Sequence, residues 1–285
     1  MKVLVIGGDG VLGTALREVT NENGLDATFT SRRIDSNDTR MTFLDLKQDP
    51  ESIDIHDYSI IIYVAQSRRY KEFPEGLDDL IRINLIAPDV IAKKAAKKGI
   101  KFVYCSTGSV YASSNDPLVE TSPVKDQGKW DTYALSKFFA EVSILNANPH
   151  SLILRPFFIF GPSTNNTSLI PNLLHNLLTQ SEIYLAGENG FEFNPIQSRD
   201  AARAVLNLVE NNESGIFNLA GTERISLKKL IDMLATSFGL SPNYKHTPEG
   251  PSIIADISKL QRTGFLFSGT LESNLNKYFS EMKLS

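Results

Sequence analysis

The chain has 285 residues, of which 41% are hydrophobic and 22% charged, a composition that excludes a disordered or fibrous protein. Its 29 Lys and Arg residues against 33 Asp and Glu residues give a net charge of −4, which argues against a general nucleic-acid-binding protein. The single cysteine, Cys105, excludes an intramolecular disulfide and a metal site built from several cysteines.

The sequence shows no pattern typical of a targeting signal or a membrane span. The apolar run at residues 3–6 ends at a glycine and is shorter than the core of about 7–15 residues in a signal peptide. No apolar run approaches the about 18 residues of a membrane span. Together with the single cysteine, this predicts a cytoplasmic protein without membrane attachment.

Short apolar runs alternate with helical patterns through the first half of the chain. The runs predict strands at residues 3–6, 27–30, 41–44, 59–64, 101–105 and 152–154. The helical patterns lie at residues 11–19, 80–96 and 131–145, and we expect Pro88 to bend the second. This alternation predicts an α/β fold with a doubly wound parallel sheet, covered by helices on both faces.

After about residue 161 the segments become shorter and the loops more polar. Helical patterns lie at residues 169–179, 199–209, 227–238 and 271–282, and strand candidates at 183–185 and 216–219. We therefore expect a dinucleotide-binding domain at residues 1–161. Residues 162–285 are expected to form mainly a smaller substrate-binding α/β lobe, with some segments returning to the first domain.

Three glycines at a spacing of three residues connect the first predicted strand to the first helix. Such a turn needs residues without Cβ strain, and it allows a pyrophosphate to approach the backbone closely. The N–H groups and positive dipole at the start of the helix then favour phosphate. The spacing alone is a weak signal, but its strand–turn–helix context predicts a Rossmann-like dinucleotide site rather than a plain glycine turn. The expected cofactor contacts are Gly7, Gly10, Val11, Leu12 and Gly13.

The end of the second strand indicates which dinucleotide binds. Its sequence, Thr30-Ser31-Arg32-Arg33, lacks the acid that commonly holds the ribose 2′-hydroxyl of NAD. A hydroxyl and a guanidinium suit a 2′-phosphate, so Ser31 and Arg32 predict NADP, with NAD as the alternative. The arginines could instead belong to a solvated loop. Asp45 is a candidate partner for the adenine amino group, or a simple turn residue.

A phenol and an ammonium lie one helical turn apart in Tyr133-Ala134-Leu135-Ser136-Lys137. A free tyrosine has a pKa of about 10, and we expect the neighbouring charge to lower it so that Tyr133 can act as an acid/base. A hydroxyl-rich segment, residues 106–111, follows the strand at 101–105, at the sheet edge where parallel sheets bind ligands. Asn84 is expected to support the backbone near Lys137 through a water. Cys105 fits a buried strand residue better than a nucleophile.

With these motifs the chain resembles the epimerase/dehydratase branch of the extended short-chain dehydrogenase/reductase superfamily. The resemblance runs along essentially the whole chain and also rests on residues 45–46, 155–162, 200–204, 217–221 and 255–260. It implies that the catalytic residues are Thr107, Tyr133 and Lys137.

The resemblance also implies cofactor contacts, substrates and assembly. The further cofactor contacts would be Leu46, Ala65, Asn84, Pro156, Phe158 and Ile159, in addition to Asp45, Tyr133 and Lys137. The usual substrates of the branch are sugar nucleotides. Many members form homodimers through two helices from each subunit, which here would be the patterns at 80–96 and 131–145.

The chain departs from the family pattern at positions that matter for the reaction. Gly108 and Ser109 follow Thr107 where dehydratases of the branch carry an Asp-Glu pair, which argues against dehydration. Phe158 and Phe193 replace an Asn and an Arg that commonly contact the sugar nucleotide. These and three further phenylalanines indicate an apolar or stacking wall, or ordinary core packing; the three are Phe157, Phe160 and Phe191.

Three functions fit these motifs. The first is an NADPH-dependent reductase acting on a keto group of a nucleotide-activated deoxysugar, with Tyr133 as the proton donor. The second is a sugar-nucleotide 4-epimerase, which oxidises and re-reduces one carbon and retains its cofactor. The third is an NADP-binding regulator without turnover, although a pure binder needs no proton donor. Candidate substrate contacts are Gln66, Ser67, Arg68, Thr107 and Asn194; no metal ligands are expected.

Overall fold

The computed structural model describes residues 2–33, 38–126, 128–162 and 168–284. Within these ranges the strands are β1 (Lys2–Ile6), β2 (Asp26–Ser31), β3 (Met41–Phe43), β4 (Ile60–Tyr63), β5 (Lys101–Cys105), β6 (Leu152–Pro156), β7 (Ile159–Phe160), β8 (Glu182–Ala186), β9 (Glu192–Phe193), β10 (Ile196–Gln197), β11 (Gly215–Leu219), β12 (Ile225–Ser226) and β13 (Asn243–Thr247). Seven of these described strands form a parallel sheet in the order β11-β6-β5-β4-β1-β2-β3.

The helices are α1 (Val11–Glu22), α2 (Leu77–Ile81), α3 (Ala87–Lys98), α4 (Thr132–Ala147), α5 (Leu169–Leu178), α6 (Ser198–Glu210), α7 (Leu227–Phe238), α8 (Ser258–Gln261) and α9 (Leu271–Leu284). Buried side chains of α1 and α6 pack on one face of the sheet, and those of α3 and α4 pack on the other. The predicted doubly wound parallel sheet is thus confirmed. None of the described helices combines the length and apolar character needed to cross a membrane.

The central strands are apolar on both sides because both faces of the sheet are covered. In β4, Ile60 and Ile62 join the cluster that contains α1 and α6, whereas Ile61 and Tyr63 join the cluster that contains α3 and α4. This alternation is the period-two geometry of a strand expressed in a wholly buried segment.

Two elements from the second half of the chain belong to the main sheet layer. Strand β11 pairs with β6 at the edge of the sheet, with Gly215 opposite Leu152, and α6 packs beside α1. A separate apolar cluster unites α5, α7 and α9 with β8 and the β9–β12 pair, and forms the smaller lobe. Strand β13, which pairs with β8, had no sequence signal because its segment, Asn-Tyr-Lys-His-Thr, is largely exposed.

The helix predicted at 80–96 continues through a π-helical turn, Arg82–Ile86, placed just before Pro88. Pro88 has no N–H to offer to the carbonyl of Asn84, four residues earlier. The buried hydroxyls of Tyr63 and Tyr104 donate instead to the carbonyls of Ile83 and Asn84, at 2.5 and 2.9 Å. The expected bend is therefore a local widening of the helix, stabilised by two tyrosines of β4 and β5.

Candidate functional site

The glycine turn folds tightly because its first and third glycines have no room for a side chain. Gly7 has a φ of +106°, and a Cβ there would lie 2.6 Å from the backbone nitrogen of Ala65. A Cβ on Gly13 would overlap the carbonyl of Gly7. A Cβ on Gly10 would lie no closer than 3.9 Å to any described protein atom, so the backbone there is open to a ligand.

The start of α1 suits an anion. Gly10 precedes the helix, no described side chain caps it, and its first turn contains no acidic residue. The N–H groups of Val11, Leu12 and Gly13 belong to that first turn, where helix N–H groups lack intrahelical partners. This arrangement fits the diphosphate of a dinucleotide, which gains from both the free N–H groups and the helix dipole.

The loops after β1 and β4 lie side by side at the carboxyl edge of the sheet. Ala65 packs against Gly7, and Arg68 forms an ion pair with Asp9 of the glycine turn, with Nη2 and Oδ2 2.5 Å apart. Gln66 is exposed. Arg68, a candidate substrate contact, thus lies against the glycine turn.

The expected adenosine end shows more local bonding than the sequence indicated. Ser31 is buried, and its Oγ accepts a hydrogen bond from the N–H of Arg33 at 3.0 Å. The Asp45 carboxylate accepts a hydrogen bond from the N–H of Lys47 at 3.1 Å. This is the bonding of a turn residue, the alternative to an adenine contact. Leu46 packs partly into the core. Arg32 is exposed at the end of β2 and available to a phosphate, and residues 34–37 lie outside the described ranges.

The first two turns of α4 carry the predicted acid/base pair. Asp131 begins this helix by accepting a hydrogen bond from the N–H of Ala134 at 2.8 Å. Lys137 is 1% exposed, and its Nζ donates to the carbonyl oxygen of Cys105 at 2.8 Å. The hydroxyl of Tyr133 donates to Oε1 of Gln66 at 3.2 Å.

The pKa of Tyr133 departs from expectation. Burial raises it well above the usual value for a phenol, and the nearby Cys105 thiol adds to this, whereas a hydrogen bond with Thr107 acts in the opposite direction. The expected net lowering of this pKa is not found, because burial is the largest effect on the phenol. Burial also lowers the pKa of Lys137 to about 8. At neutral pH the phenol keeps its proton, as a proton donor requires.

Asn84 has a different role from the predicted one. It is fully buried, its Oδ1 accepts from the N–H of Ser67 at 2.9 Å, and its Nδ2 donates to Oγ of Ser136 at 3.2 Å. Both ends of the amide are used by the protein. The side chain therefore ties the loop after β4 to α4 beside Lys137 by direct hydrogen bonds.

Two proposed substrate contacts are also structural. Ser67 is fully buried and its Oγ donates to Asp79 at 2.6 Å. The Asn194 amide donates to the carbonyls of Gly221 and Ala255, both at 2.9 Å, and accepts from the N–H of Ala255 at 2.9 Å. Asn194 therefore connects three chain segments through both ends of its buried amide.

The segment after β6 places aromatic side chains near the catalytic loop. The ring of Phe157 packs against Gly108, and Phe158 contacts Phe191 and Phe193 with centroid distances of 5.9 and 4.7 Å. Phe193 is a core residue, whereas Phe158 and Phe191 are half-buried. Of the five phenylalanines expected to form a stacking wall or the core, Phe160 is a core residue as well, and only Phe157, Phe158 and Phe191 keep exposed surface. Pro156 ends β6 and Ile159 begins β7, both half-buried.

Sequence reasoning missed a buried ion pair that, together with Ser106, joins α4, β6 and the loop after β5. Glu141 of α4 accepts two hydrogen bonds from Arg155 of β6, at 3.0 and 2.6 Å, and another from the hydroxyl of Ser106. A signal existed, because Glu141 lies one helical turn after Lys137. Tyr70, whose ring centroid lies 5.0 Å from that of Tyr133, had no such signal.

No group of three or more His, Cys, Asp or Glu side chains able to hold a metal ion occurs in the described part of the chain.

Comparisons with known proteins support the same interpretation of the fold. The methionine adenosyltransferase 2 subunit beta of Xenopus tropicalis is 22% identical over 284 residues, covering 92% of this chain and 82% of that protein. A dTDP-4-dehydrorhamnose reductase from Clostridium acetobutylicum has a TM-score of 0.81 at 18% identity and covers 99% of this chain and 100% of its own. A UDP-glucuronic acid 4-epimerase from Bacillus cereus, solved with UDP-glucuronic acid and NAD, has a TM-score of 0.84 at 18% identity, covering 100% and 99%.

The family model described as the NAD dependent epimerase/dehydratase family matches residues 3–220. That range contains the glycine turn, the Thr107 loop and the helix of Tyr133 and Lys137. The chain belongs to the NAD dependent epimerase/dehydratase family.

Proposed function

We propose that the protein is an NADP(H)-dependent reductase of a keto group on a sugar nucleotide. The observation that carries this proposal is the placement of Tyr133 one helical turn before the buried Lys137, whose ammonium donates a hydrogen bond to the carbonyl of Cys105, at the start of the Thr107 loop. A reductase needs a protonated donor in its resting state, and this geometry supplies one against the loop after β4, which in turn contacts the glycine turn.

The chain's own residues account for the proton chemistry. A bound nicotinamide would supply the hydride to the carbonyl carbon. Thr107 would donate a hydrogen bond to the carbonyl oxygen, and Tyr133 would transfer its proton to the same oxygen as charge develops there. Lys137, cationic below about pH 8, would stabilise the phenolate that remains. Burial of the ammonium strengthens this charge interaction.

NADP is proposed over NAD because of Arg32. The guanidinium is exposed at the end of β2. The sequence there, Ser31-Arg32-Arg33, contains no acidic residue. A charged donor there favours a 2′-phosphate. The Bacillus cereus epimerase was solved with NAD, so the proposed preference for NADP rests on Arg32 of this chain and not on that neighbour.

A 4-epimerase is the second candidate, since Thr107, Tyr133 and Lys137 would serve both reactions and the Bacillus cereus neighbour is named a 4-epimerase. The presence of both Tyr133 and Lys137 on α4 argues against a protein that only binds dinucleotide. One relative is nevertheless named as a subunit of another enzyme.

A homodimer is part of the proposal. Four apolar side chains are exposed on adjacent helices: Ile81 and Ile86 on α2 and the π turn, at 37% and 43%, and Phe139 and Val142 on α4, at 52% and 44%. Such neighbouring apolar side chains on a surface mark association sites. A second copy of the chain would bury them.

Incubation of the purified protein with NADPH and a panel of dTDP- and UDP-linked 4-keto sugars tests the proposal. The expected result is a loss of the near-ultraviolet absorbance of NADPH in step with formation of the alcohol. Interconversion of sugar epimers with no net loss of NADPH, together with dinucleotide retained through purification, would instead identify the epimerase.

A further inference from the structure

The side chain of Gln66 meets the Tyr133 phenol from the loop after β4. The Tyr133 hydroxyl donates to Oε1 of Gln66 at 3.2 Å, and the Gln66 side chain is exposed. An exposed amide can form its hydrogen bonds with water, so folding alone does not require this contact. The contact thus brings an uncharged polar group, from another part of the chain, to the atom that would give up its proton.

The backbone on both sides of Gln66 is fixed by packing and buried hydrogen bonds. Ala65 lies against the glycine turn, where a Cβ on Gly7 would come within 2.6 Å of its nitrogen. Ser67 is fully buried, its N–H donates to Asn84 at 2.9 Å, and its Oγ donates to Asp79 at 2.6 Å. The exposed amide of Gln66 is therefore presented from a rigid position, as a group that must hold another in place requires.

The same loop is also fastened to the helix that carries Tyr133. Asn84 donates to Oγ of Ser136 at 3.2 Å, and that hydroxyl donates to the carbonyl oxygen of Tyr133 at 2.7 Å. The ring of Tyr70, from the loop after β4, lies with its centroid 5.0 Å from that of Tyr133. Tyr133 is thus restrained at its backbone, at its ring and, through Gln66, at its hydroxyl.

A primary amide suits both protonation states of a phenol, because one end accepts hydrogen bonds and the other donates them. The amide oxygen of Gln66 accepts from the protonated phenol. Once the proton has left, the phenolate can only accept, and rotation about the broad terminal torsion of the side chain would present the Nε2–H group to it. A hydrogen bond to a charged oxygen is stronger than one between neutral groups. A carboxylate of the same size could not donate and would repel the phenolate.

We propose that Gln66 is a positioning residue for Tyr133, whose amide accepts from the phenol before proton transfer and donates to the phenolate after it. This inference rests on the proposed function, because it needs Tyr133 as the proton donor. In that step the hydride of NADPH forms the new C–H bond, the phenol proton goes to the former keto oxygen, and no bond of Gln66 forms or breaks. Gln66 then acts through Tyr133 and not as the substrate contact expected from the sequence.

Single-turnover oxidation of NADPH tests the inference, with a member of the 4-keto sugar panel that the wild-type protein reduces. Gln66→Leu is expected to lower the maximal rate about tenfold and to leave the half-saturating sugar concentration unchanged, because the lost contact serves the transition state. Gln66→Glu, which keeps the size of the side chain, is expected to lower the rate at least as much. Gln261→Leu is the matched control, since Gln261 is exposed at the end of α8, and both quantities should stay at the wild-type values.

The division between rate and saturation decides the outcome. A raised half-saturating concentration with an unchanged maximal rate in Gln66→Leu would identify a direct substrate contact and overturn the inference. A wild-type rate in Gln66→Glu would also overturn it, because the donor end of the amide would then be unused. Should Gln66→Leu fail to fold, as judged by thermal unfolding, the rate of Gln66→Glu still decides. Failure of the wild-type protein to reduce any member of the panel would count against the proposed function itself, which separates the two results.

Discussion

The buried ammonium of Lys137 donates a hydrogen bond to the carbonyl oxygen of Cys105 at 2.8 Å. This contact holds the positive charge between α4 and the Thr107 loop. The ammonium is almost fully buried, and this lowers its pKa to about 8. Burial thus disfavours the charged form of Lys137. The same charge would stabilise the phenolate of Tyr133, one helical turn away.

This placement predicts a pH-dependent difference in stability between the wild-type protein and Lys137→Met. The folded-state pKa of Lys137 is about 8 and the unfolded value about 10.5, so between these pH values the unfolded chain binds more protons. Stability contributed by this group therefore rises with pH in that window, and its cost is fully present below about pH 8. Denaturant titrations should show the wild type gaining about 2 kcal/mol relative to Lys137→Met between about pH 7 and about pH 9.5. A constant difference would contradict the account.

Replacement of Tyr133 by Phe should remove the proton donor while the ring contact with Tyr70 is kept. We expect kcat for reduction to fall by about 10²–10⁴, the usual contribution of general acid catalysis, with little change in the dissociation constant for NADPH. Steady-state kinetics and calorimetry on the same preparation measure both. A variant that retains wild-type kcat would show that another group donates the proton.

Breaking the buried ion pair should cost far more stability than breaking an exposed one. Glu141→Gln leaves the guanidinium of Arg155 without a charged partner where the two side chains are 2% and 4% exposed, and we expect a loss of about 3 kcal/mol or more. The control is Asp78→Asn, which removes an exposed pair with Arg82 and should cost less than about 1 kcal/mol. Equal losses of unfolding free energy for the two variants, measured by denaturant unfolding, would contradict a stabilising role of the buried pair between α4 and β6.

The apolar side chains on α4 and the neighbouring helix predict that Phe139→Glu dissociates a dimer. Placing a charge in a buried apolar contact is strongly unfavourable, so sedimentation should show a monomer for the variant and a dimer for the wild type. Leu178→Glu is the control, because Leu178 is 61% exposed on α5 in the smaller lobe and should leave the dimer intact. A wild-type monomer would rule out the homodimer.

Features that depend on local pattern could be predicted from the sequence. The glycine turn, the buried strands and the spacing of Tyr133 and Lys137 all follow from short-range periodicity and backbone sterics. The boundaries of most helices differ from prediction by only a few residues.

Features that depend on tertiary partners could not be predicted. Asn84, Ser67 and Asn194 are polar residues that the sequence offers as ligand contacts, and only the fold shows that they are buried and form hydrogen bonds within the protein. The pKa of Tyr133 is raised mainly by burial, which depends on the folded structure and not on the spacing of Tyr133 and Lys137 in the sequence. The two-residue strands β7, β9, β10 and β12 are too short to carry a period.

The central claim is that a hydride from the cofactor and a proton from Tyr133 reach the same carbonyl group of a sugar nucleotide. Turnover with NADPH deuterated at the transferred position, followed by mass spectrometry of the sugar product, measures this directly. The account predicts one deuterium in each alcohol formed, with product formation strongly reduced in Tyr133→Phe. Product without deuterium, or equal labelling rates in the variant, would contradict it.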